Sequence, residues 1–526
     1  MKNVDVLNTV ENEKVKGISS HTVFQFLQNR GNWINLCILI LFFAWNLFLL
    51  INHELWRDEV NVYLMGRDLS LFGLFKEINL QGHPVLWYLM VMPFAKLGVS
   101  AEIMGILSLV GMSVAACLIV FKAPVSIITK IFILFSTSLT YYYTVIARGY
   151  WLVALLIVVS ALLYPYKSKI AESYLCRKNR LWVYAIILAL LVQADTIGLP
   201  FAFLICVVLL LDSFWNYVGN DFELHKFVQE NIPLVLPLIS AIVFMLEMSG
   251  AKDNSTAFTI SSYSIRELVK KCIDEAKYIF MRLLPGNQYI ALLIIAGLLI
   301  STFVLGIMCK RIAPVAVFWG YFAFEVLFSV LVYELNIWHF LMLPIVFLWM
   351  LWQYPKNARG KSFAELMLCI ISLLCIVRWC MPEEPSGIVN AINGHYSDAP
   401  YIADFIDENI PEEAVVVVDD VAFASTILGY TQREEFLYAG SCEPVSYADW
   451  SREQTGTSYF MEMLVKLQAD EQLRDSIYKA GGFYFIDTWG NSIVDFNECS
   501  VMGEMIYQTS VPSAMKEDYT IYFFRN

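Results

Sequence analysis

Long apolar runs separated by short polar connections make up most of the chain. Most of these runs approach the ~20 residues that an α-helix needs to cross the hydrocarbon core of a bilayer. Eleven such runs cover residues 33–51, 101–121, 125–143, 149–166, 181–195, 197–214, 231–248, 288–308, 312–333, 340–354 and 363–380. The pattern therefore predicts a multi-span α-helical membrane protein with about eleven spans.

A further apolar stretch, residues 84–97, is short and interrupted by Pro93, so we predict a re-entrant or interfacial helix there. If this stretch does not cross, four basic loops fall on one side, which the positive-inside rule assigns to the cytoplasm, while the basic stretch 249–287 is an exception that falls outside. These loops carry Lys122, Lys130, Lys167, Lys169, Arg177, Lys178, Arg180, Lys310, Arg311, Lys356, Arg359 and Lys361. Residues 1–32 then form a cytoplasmic segment, and residues 52–83, 249–287 and 381–526 face outward.

Composition agrees with this picture, because 58% of the residues are hydrophobic and only 16% are charged. The formal net charge of −12 disfavours a nucleic-acid partner, which requires a basic surface. The first apolar run is too long for a cleavable signal sequence and is predicted to be a retained span. Cys442 and Cys499 lie in the hydrophilic tail, where a disulfide and two free thiols both remain open.

The tail, residues 381–526, has the pattern of a separate α/β domain. A Pro- and Glu-rich linker at 382–386 precedes it. Helices are predicted at 397–409, 424–430 and 458–470, and strands at 414–420, 482–488 and 520–525. Asp419 and Asp420 end the first strand, where an acidic pair is more typical of a helix cap than of a binding site.

The first outer loop, 52–83, contains the densest polar chemistry. Asp58 and Glu59 follow the first span directly, and two short amphipathic helices are predicted at 59–67 and 70–78, the second capped by Ser70. A third amphipathic helix, lying on the outer membrane surface, is predicted within 249–287. Its basic face either holds anionic lipid head groups or is simply solvated.

Polar residues at other span ends are predicted to share this membrane-level rim. Arg148 and Tyr150 lie at one such end and His339 at another, while Arg57 precedes the acidic pair. Capping of a helix dipole is the simpler explanation of an Asp–Glu pair. Crowded charge at an apolar boundary is costly, however, and favours a functional site.

Three ordered segments, ELWRDE, QGHPVLWYL and VIARGY, resemble the polyprenyl-phosphate-dependent glycosyltransferases of the GT-C superfamily. The likeness is greatest to the protein O-mannosyltransferase and aminoarabinose transferase group, in particular to bacterial members with a WRDE…GHP.LW…AR.Y pattern. It covers residues 33–166 by motif and the remainder by layout. It implies a catalytic membrane domain at 33–380, an extracytoplasmic C-terminal domain at 381–526 and a place in a bacterial plasma membrane, within the cell envelope.

The resemblance also assigns roles. Asp58 matches the catalytic base, and Glu59 its orienting or metal-linked partner. His83 matches the histidine of a GHPP motif, although Val85 stands where a second proline is common, and Arg148 with Tyr150 matches AR.Y. His339 occupies the neighbourhood of a family arginine, so the contacts to the donor phosphate stay open, with Arg57 as a further candidate. A divalent cation on Asp58 and Glu59 is neither required nor excluded.

The resemblance implies an inverting hexosyl- or pentosyltransferase. It moves a sugar from a polyprenyl-phosphate donor to a lipid, glycan or protein acceptor. One carboxylate accepts the acceptor proton, and a cation meets the charge on the departing phosphate. The alternative is a transporter or flippase, for which Glu325 inside a predicted span is the main indication.

Overall fold

The fold is that of a computed structural model, which describes residues 30–165, 174–218, 224–250, 263–381, 387–448, 450–451, 460–488, 503–509 and 513–525. Several expectations lie outside these residues: the cytoplasmic segment up to residue 29, much of the basic loop after residue 166, the linker at 382–386, and Cys499 with its disulfide.

All eleven apolar runs are helical. Among the described residues, seven helices are long and apolar enough to cross a membrane, and three shorter apolar helices accompany them. The helices of the membrane part are α1 Arg30–Ile51, α2 Arg57–Asp68, α3 Leu71–Glu77, α4 Leu86–Lys96, α5 Ile103–Lys122, α6 Ile127–Leu134, α7 Tyr150–Leu163, α8 Tyr174–Ala194, α9 Gly198–Val218, α10 Leu224–Asn231, α11 Val235–Glu247, α12 Ile265–Leu283, α13 Gln288–Met308, α14 Ala313–Leu331, α15 Ile337–Phe340, α16 Leu343–Trp352 and α17 Lys361–Trp379. The predicted run 125–143 divides into α6 and a π-helical turn at Ser138–Tyr142. The chain is therefore a multi-span helical membrane protein.

The two predicted helices of the first polar loop are present as α2 and α3, and the Ser70 hydroxyl accepts a hydrogen bond from the Gly73 backbone N–H at 3.0 Å. Helix α4 forms despite Pro93, which stands late in its 11 residues. It packs along α2, where Gly66 faces the Met92 backbone so closely that a Cβ atom there would lie 3.1 Å from it. This close contact fixes α2 against the membrane part.

The C-terminal domain is built on one six-stranded sheet in the order β3-β2-β1-β4-β6-β5. Strands β1, β2 and β4 are parallel neighbours, while β3, β5 and β6 pair antiparallel. Its elements are α18 Ile388–Asn393, α19 Ala399–Asn409, β1 Val416–Val418, α20 Val421–Leu428, β2 Phe436–Tyr438, β3 Pro444–Val445, α21 Phe460–Ala469, α22 Glu471–Ala480, β4 Gly482–Asp487, β5 Glu504–Gln508 and β6 Thr520–Arg525. The α/β domain predicted from the tail is therefore present.

The C-terminal domain is docked directly on the first polar loop. The Tyr430 hydroxyl accepts a hydrogen bond from the Leu55 backbone N–H at 2.5 Å. The Asn61 amide on α2 pairs with Ala448, accepting from its N–H at 2.8 Å and donating to its carbonyl at 3.1 Å. The loop at 52–83 and the tail after residue 387 therefore lie on the same side of the membrane part.

Candidate functional site

Glu59 holds the start of α2 in place. Its side chain is fully buried, and its carboxylate accepts hydrogen bonds from the Trp56 backbone N–H at 3.2 Å and the Ala147 backbone N–H at 2.5 Å. The His53 imidazole lies 3.0 Å from the same carboxylate. Of the two roles expected for Glu59, orienting and metal-linked, these contacts favour the first.

Asp58 points the opposite way, into a cavity. Its Oδ2 atom forms an ion pair with Arg148 Nη1 at 2.8 Å, and its Oδ1 atom lies 3.5 Å from Arg57 Nε. The side chain keeps 20% of its surface exposed, so it is accessible from the cavity. Two consecutive carboxylates of one motif thus have different surroundings, because successive helical residues project about 100° apart.

A series of side-chain contacts leads from Asp58 through Arg148 and His83 to Asp195. Arg148 Nη2 lies 2.8 Å from His83 Nε2, and His83 Nδ1 lies 3.1 Å from Asp195 Oδ2. Since arginine only donates, His83 Nε2 must accept, and Nδ1 then carries the proton that is donated to Asp195. The four side chains form one chain, Asp58–Arg148–His83–Asp195, in which a single guanidinium lies between two carboxylates.

Aromatic rings enclose the Arg148 guanidinium. Its carbon atom lies 5.0 Å from the ring centre of Tyr150 and 5.8 Å from those of Trp56 and Trp338. A cation held between ring faces is stabilised by their quadrupoles, and the rings also restrict its orientation. Arg148 is therefore positioned by its surroundings before any ligand binds.

His339, the last residue predicted for the membrane-level rim, contacts Tyr150. The Asn336 backbone N–H donates to His339 Nδ1 at 2.9 Å, so the ring proton lies on Nε2. Nε2 lies 3.1 Å from the Tyr150 hydroxyl and donates to it. His339 lines the cavity and touches Arg148 only through Tyr150, so its position differs from that of a direct phosphate clamp.

A cavity of about 410 Å³ joins these groups. One side carries Asp58, Arg148, His83 and Asp195. Helix α14 contributes Tyr321, Phe324, Glu325 and Phe328 on another wall, and the C-terminal domain contributes Asp420, Phe423 and Trp450. The cavity thus lies between the membrane part and the C-terminal domain, and all predicted site residues except Glu59 line it.

Asp58 and Glu59, the candidate residues for a divalent cation, have few carboxylate oxygens that are not already in contact with other groups. Asp58 already faces two guanidinium groups, and the Glu59 carboxylate is taken by backbone and histidine donors. Within the described ranges, no group of three or more His, Cys, Asp and Glu side chains is arranged to hold a metal ion.

Several lining residues were not among the predicted site residues. Asp195 has the same signal as Arg148, a charged residue at the end of an apolar run. Asp420 was considered as a cap, and it does cap α20 by accepting from the Ala422 and Phe423 backbone N–H groups at 2.8 and 3.2 Å. It nevertheless lines the cavity too. Nothing in the local sequence indicates Phe423, whose ring lies 4.3 Å from the Arg57 guanidinium.

No protein-family model matches the chain, and no curated protein is significantly similar to it. Among solved structures, the chain is similar to ArnT from Cupriavidus metallidurans. For the structure bound to undecaprenyl phosphate, the identity is 10%, the TM-score is 0.44, and the alignment covers 94% of this chain and 98% of the other. For the apo state, the identity is 9%, the TM-score is 0.45, and the coverage is 96% and 98%.

Proposed function

We propose that this membrane protein is a GT-C-type glycosyltransferase. It transfers a sugar from a polyprenyl-phosphate donor to an acceptor hydroxyl on the outer face of the membrane. The observation that carries this proposal is the Asp58–Arg148–His83–Asp195 chain at the wall of a cavity. It combines an accessible carboxylate with a guanidinium enclosed by rings. A proton acceptor beside a phosphate ligand is what an inverting transfer requires.

Arg148 binds the donor phosphate. Its planar guanidinium suits paired phosphate oxygens, and its cationic charge stabilises the phosphate that leaves. In the structure the same group pairs with Asp58 at 2.8 Å. When phosphate engages Arg148, it competes for this pairing, and Asp58 gains freedom to accept a proton. Donor binding thereby prepares the base.

Asp58 takes the proton of the acceptor hydroxyl while the oxygen attacks the anomeric carbon and the bond to phosphate breaks. The phosphate leaves as an anion, so the step needs no protonated acid. Glu59 fixes the start of α2 from behind, and His83, held by Asp195, supports Arg148. Tyr150 and Arg57 form the rest of the rim.

The test is Asp58→Asn, which preserves shape and removes the base. We expect transfer from a polyprenyl-phosphate sugar to fall by about 10²- to 10⁴-fold, the usual contribution of a general base. The measurement is the rate of radiolabelled sugar transfer from donor lipids to a membrane extract by purified protein. Thermal unfolding serves as the folding check.

Asp68→Asn is the matched control, since Asp68 ends the same helix, pairs with Arg67 at 2.6 Å and does not line the cavity. Its transfer rate should remain within twofold of wild type. Full activity in Asp58→Asn would refute Asp58 as the base.

One observation favours transport as a second candidate. Glu325 lies within α14, is buried and lines the cavity, as expected for a coupling group of a transporter or flippase. Flipping of a fluorescent lipid in proteoliposomes that is lost in Glu325→Gln and kept in Asp58→Asn would establish this alternative.

A further inference from the structure

Glu325 stands out among the groups that line the cavity. It lies six residues before Leu331, the last residue of α14, which places it about 9 Å along the helix from that end. Only 1% of its surface is exposed. In the described part of the chain, its carboxyl has one polar neighbour that can bond to it, the buried Tyr321 hydroxyl one turn earlier on the same wall.

A buried carboxyl group whose one bonding neighbour among the described residues is a phenol is costly, since it has lost its hydration and regained little in return. Such a residue within a membrane span indicates a functional site. Glu325 shares its cavity with Asp58 and Arg148, so a ligand held by those two can extend to it. The acceptor positions that Tyr321 leaves open on this carboxyl are therefore placed to receive hydrogen-bond donors from that ligand.

We propose that Glu325 and Tyr321 form the subsite for the transferred sugar, binding its hydroxyl groups. This inference rests on the proposed function. A polyprenyl-phosphate sugar has three parts, and only one suits this wall. The hydrocarbon tail has no donors, and the phosphate is matched by the cationic Arg148 on another side of the cavity. The sugar hydroxyls supply several donors and acceptors for a carboxyl and a phenol.

The test separates the sugar from the lipid phosphate. Binding to purified full-length protein in detergent is measured for undecaprenyl phosphate and for its mannosyl, glucosyl and arabinosyl phosphate derivatives. We expect wild type to bind one derivative more tightly than the bare lipid phosphate. Glu325→Gln should weaken binding of that derivative at least tenfold, while binding of undecaprenyl phosphate stays within twofold of wild type. Tyr321→Phe should produce a smaller loss with the same selectivity.

Glu247→Gln is the matched control. Glu247 is also a buried glutamate, at the last position of α11, but it does not line the cavity. Both lipids should bind this variant as they bind wild type. The pair of variants therefore separates loss of a ligand contact from the general effect of neutralising a buried carboxyl.

The remaining outcomes would overturn the proposal. Equal loss of both lipids in Glu325→Gln, or loss of neither, removes Glu325 from sugar binding while the proposed function stands. If Glu325→Gln does not fold, Tyr321→Phe decides by the same comparison. If wild-type protein binds no undecaprenyl phosphate at all, the proposed function fails and the subsite fails with it.

Discussion

Arg148 has contacts on every side that differ in character: a carboxylate, an imidazole and three aromatic rings. A guanidinium satisfies all of them because it is flat and carries five donors in fixed directions. This environment explains why an arginine rather than a lysine stands at the position.

We predict that Arg148→Lys lowers sugar transfer by about 100-fold, because an ammonium is a point charge that cannot face Asp58 and His83 in one plane and also stack between rings. The check is the transfer rate at saturating and at low donor, which separates binding from the chemical step. Arg67→Lys, with its guanidinium on Asp68 away from the cavity, is the control. Equal rates for Arg148→Lys and wild type would remove Arg148 from the phosphate site.

Two neighbouring acidic residues show what the sequence could predict at this scale. The motif resemblance indicated Asp58 and Arg148, and the structure brings them to 2.8 Å. The same motif leaves the role of Glu59 open between orienting and metal-linked. The orienting role depends on the backbone N–H of Ala147, 88 positions later, which only the folded chain brings to the Glu59 carboxylate.

At the scale of elements, α2 is held between α4 on one side and the C-terminal domain on the other. Asn61 joins α2 to the C-terminal domain and to the segment before α4: its amide contacts Gln81 at 2.9 Å and both polar backbone atoms of Ala448. The placement of Asp58 therefore depends on groups from three separate parts of the chain.

We predict that Asn61→Leu destabilises this junction by about 2–3 kcal/mol, since it leaves buried backbone and amide groups without partners. Limited proteolysis should cut the chain between the membrane part and the C-terminal domain faster, and transfer should fall with it. Asn409→Leu is the control, because Asn409 makes one exposed contact, to the Phe405 carbonyl at 3.0 Å. An unchanged cleavage rate in Asn61→Leu would show that the junction is held elsewhere.

The elements found from sequence were those whose apolar pattern is long or regular. The spans, α2, α3 and strands β4 and β6 belong to this class. Strands β2, β3 and β5 went unpredicted, as did helix α22. Strands β2 and β3 have only three and two residues and are defined by their hydrogen bonds to neighbouring strands. Leu437 of β2 lies opposite Val417 of β1 on one side and opposite Pro444 of β3 on the other. Such short strands have no periodicity of their own to detect.

At the scale of the molecule, the C-terminal domain completes the site. The Arg57 backbone N–H donates to the Glu517 carboxylate at 3.0 Å, and the Ser397 hydroxyl donates to the other oxygen at 2.6 Å. Burial raises the pKa of Glu517 to about 7, although the Ser397 hydrogen bond and Arg57 act in the opposite direction. A titratable group thus lies at the contact between the two parts.

The pKa shift gives a pH dependence whose sign follows from proton binding. Between pH 4.5 and about 7 the folded protein keeps a proton on Glu517 that the unfolded chain releases, so the free energy of unfolding falls as pH rises through this range. We predict a lower melting temperature at pH 8 than at pH 5, with this difference reduced in Glu517→Gln. The comparison uses purified protein in one detergent at constant ionic strength.

Glu504→Gln is the control for this measurement, because Glu504 and its partner Arg525 are mostly exposed at the edge strand. Its pH profile should follow that of wild type. An identical profile for wild type and Glu517→Gln would show that other carboxyl groups determine the pH response.

Whole-molecule arrangement was the part least accessible to the sequence. The tail pattern predicted a domain but not its docking on α2, since hydrogen bonds such as that from Leu55 to Tyr430 join positions 375 apart. Asp420, Phe423 and Trp450 line the cavity only because the C-terminal domain docks on α2.

The hydrogen bond from Arg57 to Glu517 spans 460 positions of the chain and has a consequence for biosynthesis. The segment around Asp58 emerges from the ribosome early, but its last structural neighbour is synthesised hundreds of residues later. On our topology, both must reach the same face of the bilayer before the pocket takes its final form. A nascent protein inserted up to α17 would already reside in the membrane, yet its pocket would lack the wall that Asp420, Phe423 and Trp450 supply. Membrane insertion and completion of the pocket are thereby separated in time.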